Sequence, residues 1–173
     1  MSERISDLEN TEHNSTAQAK RVLAYGKTAG GSYVVMRVDS DGKLDITKEA
    51  RVVGILVSDP LGSAITTGDG KAYFRVPSVM NGWNLTGVAM SLTTASSSGI
   101  PTVQIRNATQ TADMLTTKLT IDANETDTST AATAAVIDTG NDDVATGDKV
   151  HVDIDVAGTG AKGLYVELTF SEP

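Results

Sequence analysis

Near the end of the chain, apolar and polar residues alternate with strict period two, twice in succession. Val150, Val152, Ile154 and Val156 interleave with His151, Asp153 and Asp155. Beyond a glycine-rich GTGAKG, Leu164, Val166, Leu168 and Phe170 interleave with Tyr165, Glu167 and Thr169. Successive side chains of a strand point to opposite faces, so each run offers one face to a core and one to water. That is the pattern of an antiparallel sheet covered on one side. The spacing predicts two strands joined as a hairpin through GTGAKG, with His151, Asp153, Asp155, Tyr165 and Glu167 turned outward.

The same alternation recurs upstream at short intervals. KAYFRV places Ala72, Phe74 and Val76 on one face, and LTGVAMSLT does so with Val88, Met90 and Leu92. TVQIR adds Val103 and Ile105, KLTID adds Leu119 and Ile121, and AAVID is a weaker strand. Seven or eight strands separated by turn residues predict an all-β fold, an antiparallel, jelly-roll-like β-sandwich over residues 66–173. With 173 residues the chain can bury one respectable core, and aromatic residues at 4% make that core aliphatic. TTASSSG at Thr93–Gly99 and NETDTSTAATAA at Asn124–Ala135 read as exposed loops or edge strands.

Ahead of the sandwich the pattern changes. Residues 1–20 are polar, with Ile5 and Leu8 as sizeable apolar groups at helical spacing, and form an arm that is either a disordered leader or orders on a partner surface. Residues 21–57 read as a small β unit. RVLAY, the glycine turn GKTAGG and SYVVMRV give a strand, a turn and a strand, and LDI and RVVGILV give two more. So short a unit has too little core of its own, which predicts packing against the main domain or other copies. Tyr25, Tyr33 and Met36 are its candidate contacts, with Ile5 and Leu8 on the arm. SDPLGS marks a linker over residues 58–65.

Composition excludes several activities. A net charge of −8 argues against nucleic acid, which needs clustered cations to displace counterions. There is no cysteine, hence no disulfide framework, thiolate nucleophile or Cys-ligated zinc. No apolar stretch approaches the roughly 18 residues of a membrane span, and the leader has no secretory core, so synthesis in the cytoplasm is expected.

Catalytic constellations are weak. His151 and Asp153 share a strand face, but GxSxG is absent and spacing supplies no nucleophile. Asp153 and Asp155 lie about 7 Å apart by strand geometry, a separation a glycosidase could use. The same pattern arises wherever a sheet meets water. DTGNDDVATGD, with Asp138, Asn141, Asp142, Asp143 and Asp148, is rich in oxygen ligands for calcium, yet its spacing is not that of an EF-hand and the segment reads as a solvated turn between strands. Tyr73 and Trp83 could stack on a sugar, although a lone tryptophan in a sandwich also serves as a core plug or interface anchor.

The stretch from GDGKAYFRVPSVMNGWNL through DKVHVDIDVAGTGAKGLYVELTF resembles a β-sandwich module of tailed-bacteriophage virion proteins. KRVLAYGKTAGGSYVVMRVDSDGKLDI resembles the short segment that precedes such modules. The resemblance implies a non-enzymatic structural protein without cofactor or metal: a capsid decoration protein, a head fibre or a tail-associated attachment module. It implies a virion location and a homo-oligomer, a trimer in the first instance. The major capsid protein or another virion protein would be the partner, with a host surface glycan as a second one.

Overall fold

The computed structural model describes residues 22–27 and 33–37 as backbone strands and residues 49–173 in full. The chain divides into two compact units, Met1–Thr47 and Lys48–Pro173. In the first, β1 (Val22–Lys27) pairs antiparallel with β2 (Tyr33–Arg37), the two strands expected on either side of the glycine-rich spacer. The arm over residues 1–20, with Ile5 and Leu8, lies outside the described residues, as do the side chains of Tyr25, Tyr33 and Met36.

The second unit is an all-β antiparallel sandwich. Its strands in chain order are β3 (Ala50–Leu56), β4 (Gly68–Arg75), β5 (Trp83–Ser91), β6 (Thr102–Asn107), β7 (Ala112–Asp113), β8 (Leu115–Thr117), β9 (Leu119–Thr120), β10 (Val136–Ile137), β11 (Asp143–Val144), β12 (Lys149–Val156) and β13 (Tyr165–Ser171). One sheet has the order β11-β5-β13-β3. The other has the order β4-β12-β6-β7, with β9 also on β6, and β8 pairs separately with β10.

The core follows from the alternation. Val150, Val152 and Ile154 of β12 and Val103 and Ile105 of β6 are buried on one sheet, facing Val166, Leu168 and Phe170 of β13 and Leu85 and Met90 of β5 on the other. Full burial of such a side chain contributes about 1.5–3 kcal/mol each. The Phe74 and Phe170 rings, one from each sheet, lie with centroids 6.2 Å apart. The polar residues between them point to the opposite side of each sheet, where Gln104 and Asp153 are nonetheless covered.

Three expectations are corrected. The two C-terminal strands do not form a hairpin: β12 lies between β4 and β6, and β13 between β5 and β3 in the opposite sheet. Residues 157–164 cross the sandwich rather than reverse within one sheet, and Ala161 and Leu164 are buried along the way. RVVGILV does not complete a small 21–57 unit, because as β3 it pairs with β13 over seven consecutive residues. Nor is 58–65 a free linker. The amides of Val57 and Ser58 donate to the Leu164 carbonyl, that of Ile65 donates to Ala161, and the Leu164 amide donates to the Ser58 hydroxyl. The unit boundary falls between Thr47 and Lys48.

Candidate functional site

The outward face of the β4-β12-β6 sheet gathers the most varied chemistry. Cross-strand register sets Tyr73, His151 and Arg106 side by side on three neighbouring strands, and sets Arg75 opposite Lys149 one step along. Tyr73 is 60% exposed, and its ring centroid lies 6.1 Å from that of His151 at 49°. Arg75, Lys149 and Tyr73 are exposed; Arg106 and His151 are half-buried. Arg106 faces Asp113 across the β6–β7 pairing.

The carboxylates around this patch have other partners. Asp153, expected to face water, is buried, and the Gly70 amide near the start of β4 donates to its Oδ1 at 2.5 Å. The β12–β4 register shifts between Val152 and Ile154, so Asp153 has no direct cross-strand partner on β4 and its side chain meets the Gly70 amide instead. Asp155 meets Lys118 at 2.6 Å, and this hydrogen bond holds the ammonium above its ordinary pKa. Asp153 and Asp155 therefore differ in environment, one fixed to a backbone amide and one to a lysine. His151 and Asp153 do not pair with each other among the hydrogen bonds of the described residues.

The acidic segment is a self-bonded turn. Asp138 accepts from the Gly140 amide at 3.0 Å and from Asn141 Nδ2 at 2.7 Å. Asp148 is buried, and its Oδ2 accepts from Asn107 Nδ2 (2.7 Å), Gln110 Nε2 (2.8 Å) and the Ala145 amide (2.9 Å). Burial alone would raise its pKa, but the three donors outweigh that and hold the carboxyl below its usual value. Burial pushes the Asp142 carboxyl up. Among the described residues no three His, Asp or Glu side chains are grouped so as to hold a metal ion.

Tyr73 and Trp83 are not brought together. Trp83 opens β5 in the other sheet, is only 4% exposed, and has the Arg51 guanidinium 5.9 Å from its ring centroid. Its indole plugs the core under a cation and, contrary to expectation, offers no open ring face to a sugar. Two shallow hollows, about 170 and 230 Å³, are small beside ordinary ligand pockets. The first is lined by Val88, Leu119, Thr120 and Ala135 and the second by Val57, Ile65, Thr66 and Lys71, without an acid–base pair in either.

Sequence reasoning overlooked Arg75, Arg106 and Lys149. Each sits out of phase with a buried residue, so its outward direction was readable. Comparison of the chain with known protein families, with curated proteins and with solved structures finds no match.

Proposed function

We propose that this chain is a non-enzymatic structural protein of a tailed-phage virion, a capsid decoration or head-fibre protein that is anchored through its N-terminal part and projects the sandwich. The carrying observation is that the buried polar side chains of the sandwich bond its own strands and loops. Ser96 ties the 93–99 loop to Thr159, Gln104 bonds the Leu115 carbonyl, Asn107 and Asp148 bond each other, and Asp153 holds Gly70. A sandwich built this way is a rigid display body rather than a preorganised reaction site, which would direct such groups at a substrate. The separate compactness of Met1–Thr47 suits an anchor, and the sequence resemblance points the same way.

Copies of the chain would pack as a homo-oligomer, a trimer in the first instance, on the major capsid protein or another virion protein. In support, the edge strand β3 leaves Val52 65% and Leu56 59% exposed, an apolar border of the kind that neighbouring subunits cover. The test is quantitative gel analysis of purified particles made in a host expressing the full chain. Hundreds of copies per particle support lattice decoration, a handful supports a tail-associated attachment module, and absence from the particle overturns both. The attachment reading is favoured by one feature, the outward Tyr73 among basic residues.

A further inference from the structure

The side chains of Tyr73, Arg75, Arg106, Lys149 and His151 make no hydrogen bond or ion pair among the described residues, and their mutual contact is the tilted Tyr73–His151 ring pair. Neighbouring strands lie about 4.8 Å apart and alternate residues about 6.8 Å apart along a strand, so these side chains share a patch of roughly 10 by 7 Å. The unit carrying them is acidic: residues 48–173 contain eight Lys and Arg against fifteen Asp and Glu. Three of those eight cations nevertheless stand together here.

None of the nearby carboxylates forms an ion pair with them. Asp148 Oδ2 accepts from three donors, Asp153 holds the Gly70 amide and Asp155 holds Lys118. Asp113 stands opposite Arg106 in the register, yet the ion pairs among the described residues are Arg51–Glu49 and Lys118–Asp155, with none to Arg75, Arg106 or Lys149. The Arg106 Nε is buried and has no hydrogen-bond partner among the described residues. A buried donor without a partner is costly, and it marks this arginine as one the sandwich itself does not satisfy.

We propose that this face binds an acidic polysaccharide. Its carboxylate or phosphate groups lie against Arg75, Arg106 and Lys149, and the apolar face of one sugar ring stacks on Tyr73. Arginine suits either anion through paired donors, and an exposed tyrosine ring supplies flat contact area with little loss of rotamer freedom. A duplex nucleic acid fits less well, because three cations on a protein of net charge −8 would release few counterions. Binding here does not depend on the particle that carries the protein, so its failure leaves the virion reading standing and the reverse also holds.

The experiment uses the full chain in calorimetric titration against four polymers: alginate, a polyol-phosphate teichoic acid, neutral dextran and polyglutamate. Alginate or the teichoic polymer is expected to bind, whichever of the two identifies the anion, and dextran is not. Binding should weaken as salt rises. Arg75→Glu combined with Lys149→Glu should lower the affinity at least about tenfold. Tyr73→Ala should lower saccharide affinity roughly fivefold and leave any polyglutamate binding unchanged. The three substituted residues are exposed, and unchanged thermal melts of the variants confirm that the sandwich is intact. Absence of binding to both acidic polysaccharides, equal binding to dextran, affinity indifferent to the charge reversal, or polyglutamate binding as tightly as alginate with the same loss in Tyr73→Ala would each overturn the proposal.

Discussion

Asp148 shows how much one side chain can organise. A single oxygen gathers donors from β6, from the turn after it and from the loop before β12, so two stretches about forty residues apart share one buried charge. Hydrogen bonds to a charged group contribute about 1.5–3 kcal/mol, and Asp148→Ala would leave three donors without an acceptor. Urea unfolding of that variant should show a loss of roughly 3 kcal/mol at neutral pH. Because the folded carboxyl has the lower pKa, the unfolded chain binds more protons across the window between the two values. This contribution is therefore complete above the ordinary carboxyl pKa of about 3.9 and disappears as pH falls through the folded value. Stability measured from neutral to acid pH should fall more steeply in the native protein than in Asp148→Asn. Gly158 is a second such position: its φ is +69°, and a Cβ would stand 2.3 Å from the Ser96 hydroxyl oxygen and 3.2 Å from Pro101 Cδ. The hydroxyl accepts from the Thr159 amide at 2.9 Å and donates to the Ser98 carbonyl at 2.6 Å, so it cannot retreat without breaking the loop. Left-handed backbone and overpacking together should make Gly158→Ala about 3 kcal/mol less stable in the same assay.

At the level of elements, strand existence was legible and strand partnership was not. Period two identified the buried faces of β12 and β13 correctly, since Val150, Val152, Ile154, Val166, Leu168 and Phe170 are all in the core. It could not tell a hairpin from an arch, because both need the same alternation and a glycine-rich connection. Chain order here passes repeatedly from sheet to sheet: β3, β5, β11 and β13 belong to one, and β4, β6 and β12 to the other. The basic and aromatic patch was hidden for the same reason. Residues 73, 106 and 149 become neighbours only through long-range register, although the outward direction of each was visible locally. Ser96 and Asp153, two polar residues expected at the surface, are buried because other segments fold over them, which local polarity does not reveal. The edge strand β3 has a consequence of its own. It carries Arg51 as its one charge, no proline, and a bulge-free register with β13, so little discourages another strand from joining it. Val52→Lys combined with Leu56→Lys should reduce the mass of the proposed oligomer in light scattering. Both side chains are exposed, so the melting temperature should hardly move.

For the whole molecule, the decisive pairing joins the two ends of the sandwich. β3 begins the second unit, β13 closes it, and β13 is the strand that separates β3 from β5 in their sheet. Without β13 the sheet falls apart into an unpaired β3 and a β5 bonded only to short β11, while the inward faces of β12 and β6 lose the side chains they pack against. No local substructure can assemble first and wait, since β3 and β13 come together only after the chain between them has been drawn in, and that loop closure precedes its reward in contacts. A chain ending at Leu164 should therefore show no cooperative urea transition, monitored by the fluorescence of Trp83 in its buried site. The full chain should refold in milliseconds to seconds, in the range of sandwiches dominated by distant pairings. Stopped-flow fluorescence decides the point: refolding in microseconds, or a sigmoidal transition retained by the truncated chain, would mean that the sandwich has a nucleus independent of β13.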